Sequence, residues 1–359
     1  MDAIQFARRI PKIELHLHLE GAVQPATFLE LARKNGVTVP PYQNVRDLYR
    51  YDNLPDFLKV YDLICRSIRD ADDFRRVTYE ALASCADGGA RYVEFFFSPH
   101  AHLEFGVRYD TMLDGILAGM REAKADRKVD SRLIPAHSRE LGLDRGLAFL
   151  DMVLAHRPDE VIGIGLDYNE RPYPPAPFKP MYDRARAEGL HLAAHAGESG
   201  PAGNVRDSLD LLGVERIDHG YHVVDDPDLV ARCRERGVFF TCCPSTTEAT
   251  TEWRDLSSPN HAIKQMVEAG LNVTINSDDP PMFATDLGNE FVRAATEMKL
   301  TPIELKTCAL NAIRASWLGE QERRDLLGAW SAEIDALIAQ VDGSVDAQVD
   351  ASSPPSTAP

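Results

Sequence analysis

The sequence predicts an α/β chain closed into a (β/α)8 TIM-type barrel. Eight short apolar runs punctuate it, separated by amphipathic stretches of helical period. Several of those stretches end in glycine just before the next run, the usual helix-to-strand connection. No glycine-rich phosphate loop follows the first run, which disfavours a nucleotide-binding open sheet. Eight such units in roughly 300 residues fit a closed parallel barrel.

The first strand is predicted in "KIELHLHL", from Lys12 to Leu19. The connection behind it is long. Its segment "LPDFLKVYDLICRSI" sets Leu54, Phe57, Leu58 and Tyr61 at helical spacing. Extra helices are therefore expected after strand 1, packed on the barrel and forming a lid over its mouth. The helical stretch "DFRRVTYEALASCADGG" leads into the second strand, "ARYVEFFF". Likewise "YDTMLDGILAGMREAKAD" leads into the third, "SRLIPAH". The fourth and fifth are "EVIGIGLD" and "LHLAAHA", and "VERIDHG" is the sixth. A helix from Pro227 to Gly237 precedes "VFFTCC", and "LNVTINSDD" is the eighth strand. One barrel domain is expected over 1–342. The acidic, then Ser/Pro-rich end predicts a disordered tail over 343–359.

Composition narrows the function. The formal net charge is -17 in 359 residues, so the surface repels nucleic acid and anionic membrane. No apolar stretch approaches the roughly 20 residues that span a bilayer. The N-terminus "MDAIQFARRIPKIEL" lacks a long apolar run before a cleavage site, which predicts a cytoplasmic protein. Cys65, Cys85, Cys233, Cys242, Cys243 and Cys308 form no CxxC pair and read as reduced thiols. Adjacent Cys242 and Cys243 read as core or pocket wall rather than zinc ligands.

Polar residues at the ends of apolar runs carry the chemistry. His16 and His18 alternate with leucines, face the same way and lie about 6.6 Å apart at their α carbons. His195 ends the fifth run and Glu198 follows it. His219 ends the sixth, and Asp278 and Asp279 end the eighth. Imidazoles and carboxylates inside an apolar barrel are costly without partners. In a β/α barrel these ends converge on one mouth. Three imidazoles and one carboxylate suit a single zinc with an open position for water. Zinc lowers the pKa of that water, and Glu198 is placed to take and return protons. Spacing alone leaves open which of the four histidines lies outside the ligand set.

The ordered set "HLHLEG", "HAGE", "DHG" and "NSDDP" resembles the adenosine and adenine deaminase family of zinc amidohydrolase barrels. The resemblance runs from about Pro11 to Ala315 and implies a barrel with its site at the strand carboxyl ends. It makes His16, His18, His195 and Asp278 the ligands of one zinc per chain. Glu198 resembles the general acid that protonates purine N1 as hydroxide attacks C6. His219 resembles the histidine that orients the hydroxide, and Asp279 the carboxylate that recognises purine N7. Ammonia then leaves.

For the substrate, the resemblance implies a small 6-aminopurine, adenine or adenosine. Glu20 stands where nucleoside enzymes carry a ribose-contacting aspartate. Asp167 and Tyr168 of "GLDYNE" stand where they carry an Ala-Gly pair against the ring. "GLDYNE" and "EFFFSPHAH" are closer to the adenine branch. "CCPSTTEATTEW" departs from the Cys-Pro-x-Ser-Asn pattern of both branches, and "IPAHSRE" adds His137 and Arg139 near a strand end. A modified purine or another amino-heterocycle is the alternative substrate. A non-catalytic purine-binding or scaffold barrel is the alternative of another class, disfavoured by the complete set of ligands plus acid. Amide or cyclic-urea hydrolysis fits His219 and Asp279 less well. The H-x-E then P-C-x-x-C signature of nucleic-acid deaminases is absent.

Overall fold

In the computed structural model the apolar runs become eight parallel strands hydrogen-bonded in sequence order. They are β1 (Lys12–Glu14), β2 (Ala90–Phe97), β3 (Asp130–Ser138), β4 (Gly163–Asp167), β5 (His191–Ala196), β6 (Arg216–His219), β7 (Phe239–Cys242) and β8 (Asn272–Ile275). The structure describes residues 1–51 and 53–351, with side chains described through Val341. β2 shows why the runs are continuous rather than alternating: every residue but Arg91 is buried. Helices cover the outer face and packed side chains fill the inside.

The first strand is shorter than "KIELHLHL" suggests. Regular pairing stops at Glu14 because side chains take the next two amides. Leu15 N–H donates to Asn276 Oδ1 at 3.0 Å, and His16 N–H donates to Glu14 Oε1 at 3.0 Å. Pairing then resumes as single bridges, Leu17 to Asp278 and His18 to Phe96. His18 N–H donates to Asp278 O at 2.9 Å and Asp278 N–H to His16 O at 2.8 Å, which joins the two ends of the sheet. The barrel is thus closed by the segments that carry the histidine pair and the Asp-Asp pair.

The expected lid is the helix Leu54–Ser67, started by Asn53, whose side chain accepts Asp56 N–H at 3.0 Å. Phe57 stacks on Phe283 of the loop after β8, ring centroids 5.2 Å apart, and Tyr51 meets Phe57 edge-on at 5.3 Å. The apolar face of the helix therefore rests on the barrel mouth. The helix Pro227–Arg236 ends at Gly237, whose φ of 65° makes the left-handed turn into β7. All six cysteines are buried free thiols. No helix among the described residues is long and apolar enough to cross a membrane. The last helix is Glu320–Ala351. The predicted tail, 343–359, falls outside the residues whose side chains are described, and 352–359 outside the described residues altogether.

Candidate active site

Four side-chain atoms meet at the strand carboxyl ends. His16 Nε2 and His18 Nε2 each lie 3.1 Å from His195 Nε2. Asp278 Oδ1 lies 3.4 Å from His16 Nε2 and 3.5 Å from His18 Nε2. Ligand atoms on a tetrahedral zinc, at about 2.0–2.1 Å from it, stand about 3.3–3.4 Å apart. Protonation fits as well. His16 Nδ1 faces Thr241 Oγ1 at 2.8 Å, and that hydroxyl donates to Asp218 Oδ1 at 2.9 Å. The chain places the His16 proton on Nδ1 and leaves the Nε2 lone pair facing the centre. Burial drives His18 down to about 4 and His195 well below its ordinary range, so both are neutral imidazoles. For His16, burial is the largest influence and pulls down, but Asp278, Asp218 and Glu14 together outweigh it and the net direction is up. Lone pairs facing one another at this distance repel unless a cation lies between them, so the residues fit a metal. Cys243 also lies within 4.8 Å of His16, His219 and Asp278, a looser group than the histidine-aspartate set.

The acid sits beside this group. Glu198 is buried and its carboxyl is pushed up to about 8 by burial, then by the charges of Asp278 and Glu170. It is thus protonated near neutrality, as a general acid needs. Its Oε2 lies 3.8 Å from His219 Nε2, and that nitrogen lies 3.9 Å from Asp278 Oδ2. Burial, then the Asp278 charge, drives Asp279 well above the carboxylate range, while the imidazoles hold Asp278 well below it against burial. Gly21 makes this packing feasible: a Cβ there would stand 1.6 Å from Asp279 Oδ1. Tyr168, His219 and Asp278 all have positive φ, 66°, 66° and 63°. Such backbone is costly for residues other than glycine and clusters at functional sites.

One pocket gathers most of the predicted residues. His18, Asp167, Tyr168, His195, Glu198, His219, Asp278 and Asp279 line it, roofed by Leu54, Phe57, Leu58 and Tyr61. Asp167 Oδ1 and Asp279 Oδ1 have no hydrogen-bond partner there. Tyr168 OH donates to Asp62 Oδ1 at 3.1 Å. Glu20 stands apart from that wall. It is fully buried and accepts from Tyr61 OH at 3.0 Å and Ser98 N–H at 3.0 Å, with His102 Nε2 at 2.9 Å.

A model of the adenosine deaminase family matches residues 11–332. The chain belongs to the adenosine deaminase family. It is a hydrolytic deaminase by that membership. It is 36% identical over 323 residues to an adenine deaminase of Rhodospirillum rubrum, covering 89% of this chain and 96% of the relative. The crystal structure of an adenine deaminase from Arthrobacter aurescens superposes with a TM-score of 0.85 at 34% identity, covering 90% of this chain and 99% of that one. An amidohydrolase from Burkholderia ambifaria, solved with bound zinc, gives 0.88 at 35% identity over 96% of both chains.

Several residues around the family motifs were not assigned from sequence. Glu170 accepts four successive amides of the loop after β5, Gly197 at 2.6 Å, Glu198 at 3.0 Å, Ser199 at 3.1 Å and Gly200 at 2.9 Å, and Asn204 Nδ2 at 2.9 Å. It thereby sets the loop that carries the acid. Arg139, fully buried, donates to backbone oxygens of Asp167 at 3.0 Å, Leu166 and Tyr173 at 3.2 Å, and His195. It ties the ends of β4 and β5 together. Asp218 stands behind His16 and lies 3.6 Å from His195 Nδ1. His137, singled out beside Arg139, faces Gly142 O at 3.1 Å and lies off the pocket wall. The signal for Asp218 was present, a carboxylate inside an apolar strand next to a site histidine.

Proposed function

We propose that this protein deaminates a 6-aminopurine as the free base, adenine first, to the 6-oxopurine and ammonia. His16, His18, His195 and Asp278 would hold one zinc. Bound there, zinc lowers the pKa of water and supplies the nucleophile near neutral pH. His219 and Asp278 Oδ2 orient that water on one side of the ring. Glu198, protonated, donates to ring N1 and so withdraws electrons from C6. It then recovers a proton from the water and delivers it to the departing amine. Asp279, whose carboxyl burial and Asp278 hold well above the usual carboxylate range, donates to N7. No other part is asked of the metal.

The observation that carries the free-base reading is the closure of Glu20. At the position where nucleoside enzymes contact ribose, its carboxylate already serves Tyr61, Ser98 and His102, and none of it is exposed. Tyr61 and Tyr168, ring centroids 6.0 Å apart, occupy the lid side of the pocket. The unpartnered Asp167 Oδ1 suits a ring N–H, which a free base has and an N9-glycoside has lost.

A screen that follows the released ammonia or amine tests this, with adenine, adenosine, deoxyadenosine, N6- and ring-modified adenines and non-purine amino-heterocycles at matched concentration. Adenine is expected ahead of adenosine by at least a hundredfold in kcat/KM. Preference for adenosine overturns the reading of Glu20 and Tyr168. Turnover of another heterocycle alone overturns the purine.

A further inference from the structure

The segment "STTEATTEW" is left without a part by the scheme above, yet it enters the pocket. Its first six residues lie in the helix Pro244–Thr250 after β7. Thr246 and Thr250 both line the pocket, four residues and one turn apart on one face. Thr246 Oγ1 donates to Asp278 Oδ2 at 2.7 Å. Thr250 Oγ1 reaches Glu198 Oε1 at 3.2 Å. Each hydroxyl takes one oxygen of a carboxylate and leaves the other free. The free oxygen of Asp278, Oδ1, is the one that faces His16 and His18. The free oxygen of Glu198, Oε2, is the one turned towards His219.

The rest of the helix is fixed to the barrel by other residues. Ser245 N–H donates to Glu290 Oε2 at 2.9 Å, Thr247 Oγ1 meets His261 Nε2 at 3.0 Å, and Glu248 pairs with Arg293 at 2.7 Å. The two threonines therefore stand on a braced helix. Each is a short, β-branched side chain with few rotamers, so its hydroxyl holds a set position at small entropic cost.

We propose that Thr246 and Thr250 are positioning residues for the reaction, aiming the two working carboxylates by fixing one oxygen of each. Glu198 gives up its proton during the reaction and gains negative charge. A hydroxyl donating to it then forms a stronger, charge-assisted hydrogen bond. The single Thr250 proton has two acceptors in reach, Thr246 O at 3.0 Å and Glu198 Oε1 at 3.2 Å, so it turns fully to Glu198 as the charge develops there. The interaction is worth more in the transition state than in the ground state, so it acts on kcat more than on KM. The proposal rests on Glu198 being the acid.

The test is a set of variants assayed on adenine, each checked for metal content and thermal midpoint. Thr250→Val keeps the shape and removes the hydroxyl. It should lower kcat about 10- to 100-fold, the range for a hydrogen bond to a charged group, with KM and metal content within twofold. Thr250→Ser should recover kcat to within about threefold. In the Glu198→Gln background, Thr250→Val should cost less than twofold, because the group it aims is gone. Thr246→Val should lower kcat and weaken metal retention together, with Thr246→Ser restoring both. Wild-type kcat in Thr250→Val, equal losses in both backgrounds, or no rescue by serine overturns the proposal and leaves the acid assignment standing. Full turnover by Glu198→Gln overturns the acid and this proposal with it.

Discussion

The barrel interior holds two charged clusters, and they are built on opposite plans. Near the start of β6, Arg216 meets Glu94 of β2, both essentially without exposure. Tyr92 OH at 3.1 Å and Trp317 N–H at 2.6 Å donate to the same carboxylate, and the guanidinium lies 4.0 Å over the Trp317 ring. Each charge meets its opposite. Three residues further along the same strand, His219 joins a group in which imidazole faces imidazole and the acids Asp167, Glu198, Asp218, Asp278 and Asp279 crowd together. Asp167 Oδ1 and Asp279 Oδ1 lack hydrogen-bond partners there, and Asp218 Oδ2 faces His195 Nδ1 at 3.6 Å, beyond hydrogen-bond distance. The first cluster pairs its charges without any visitor, leaving only Arg216 Nε among its described polar atoms without a hydrogen-bond partner. The second leaves buried acids and imidazoles facing like groups, an arrangement that suits a cation and a ligand.

Removing the metal should separate the two clusters most sharply. A chelator is expected to abolish turnover, and added zinc to restore it, with metal analysis giving one ion per chain in active protein. Two ions, or full activity with none, would break the assignment of His16, His18, His195 and Asp278. Next in size, Glu198→Gln should cost about 10²–10⁴-fold in kcat while leaving the thermal midpoint unchanged or raised. Near-normal turnover would show that the proton comes from elsewhere.

Breaking the paired cluster should do the reverse. Arg216→Met leaves Glu94 buried without its cation and is expected to cost about 3–5 kcal/mol of stability in denaturant melts. The kcat of the protein that remains folded should be unchanged. Replacing Glu94 by Leu as well should recover much of that loss. If the single variant lowers kcat at full folding, the two clusters are coupled and the contrast is wrong.

The smallest effect is a pH dependence at Glu290, which braces the helix Pro244–Thr250. Burial, only partly offset by hydrogen bonds from Ser245 and Thr285, pushes its carboxyl up to about 7. The folded state therefore holds this proton more tightly than the unfolded chain, whose value is about 4.3. The stabilisation it brings is complete below that lower value and is lost as pH rises towards 7. Relative to Glu290→Gln, the wild-type protein should lose about 1–3 kcal/mol between pH 4.5 and 7.5 in melts followed across that range. A pH-independent difference would place the ionised carboxylate in the folded state throughout.

The sequence made the barrel readable because each β/α unit repeats the same apolar pattern, so the eight strands could be found one by one. It also made His16, His18, His195 and Asp278 stand out, as polar groups where apolar ones were expected. Asp279, Glu198 and His219 followed by the same logic. The limit of β1 was hidden: Glu14 and Asn276 replace its ladder with side-chain hydrogen bonds, and an alternating pattern cannot reveal that. Glu170 and Arg139 were harder still. Arg139 was visible near a strand end and Glu170 within a motif, but their partners are mainly backbone groups of other strands and loops, which residue types do not mark. Thr246 and Thr250 were visible only as a departure from a motif, and their spacing acquired meaning once the helix placed them on one face.

The grip of Arg139 on the loop after β4 has a consequence for how such a pocket changes over time. It holds the end of β4 through the oxygens of Leu166 and Asp167 and the loop itself through Tyr173 O, groups that every amino acid supplies. Apart from Glu170, whose carboxylate anchors the loop after β5, side chains along the loop are therefore free to be exchanged while the path of the chain stays where it is. Tyr168 is one of them. The loop works like a socket with interchangeable fittings, and new substrate preferences can be tried there one mutation at a time without dismantling the mouth of the barrel.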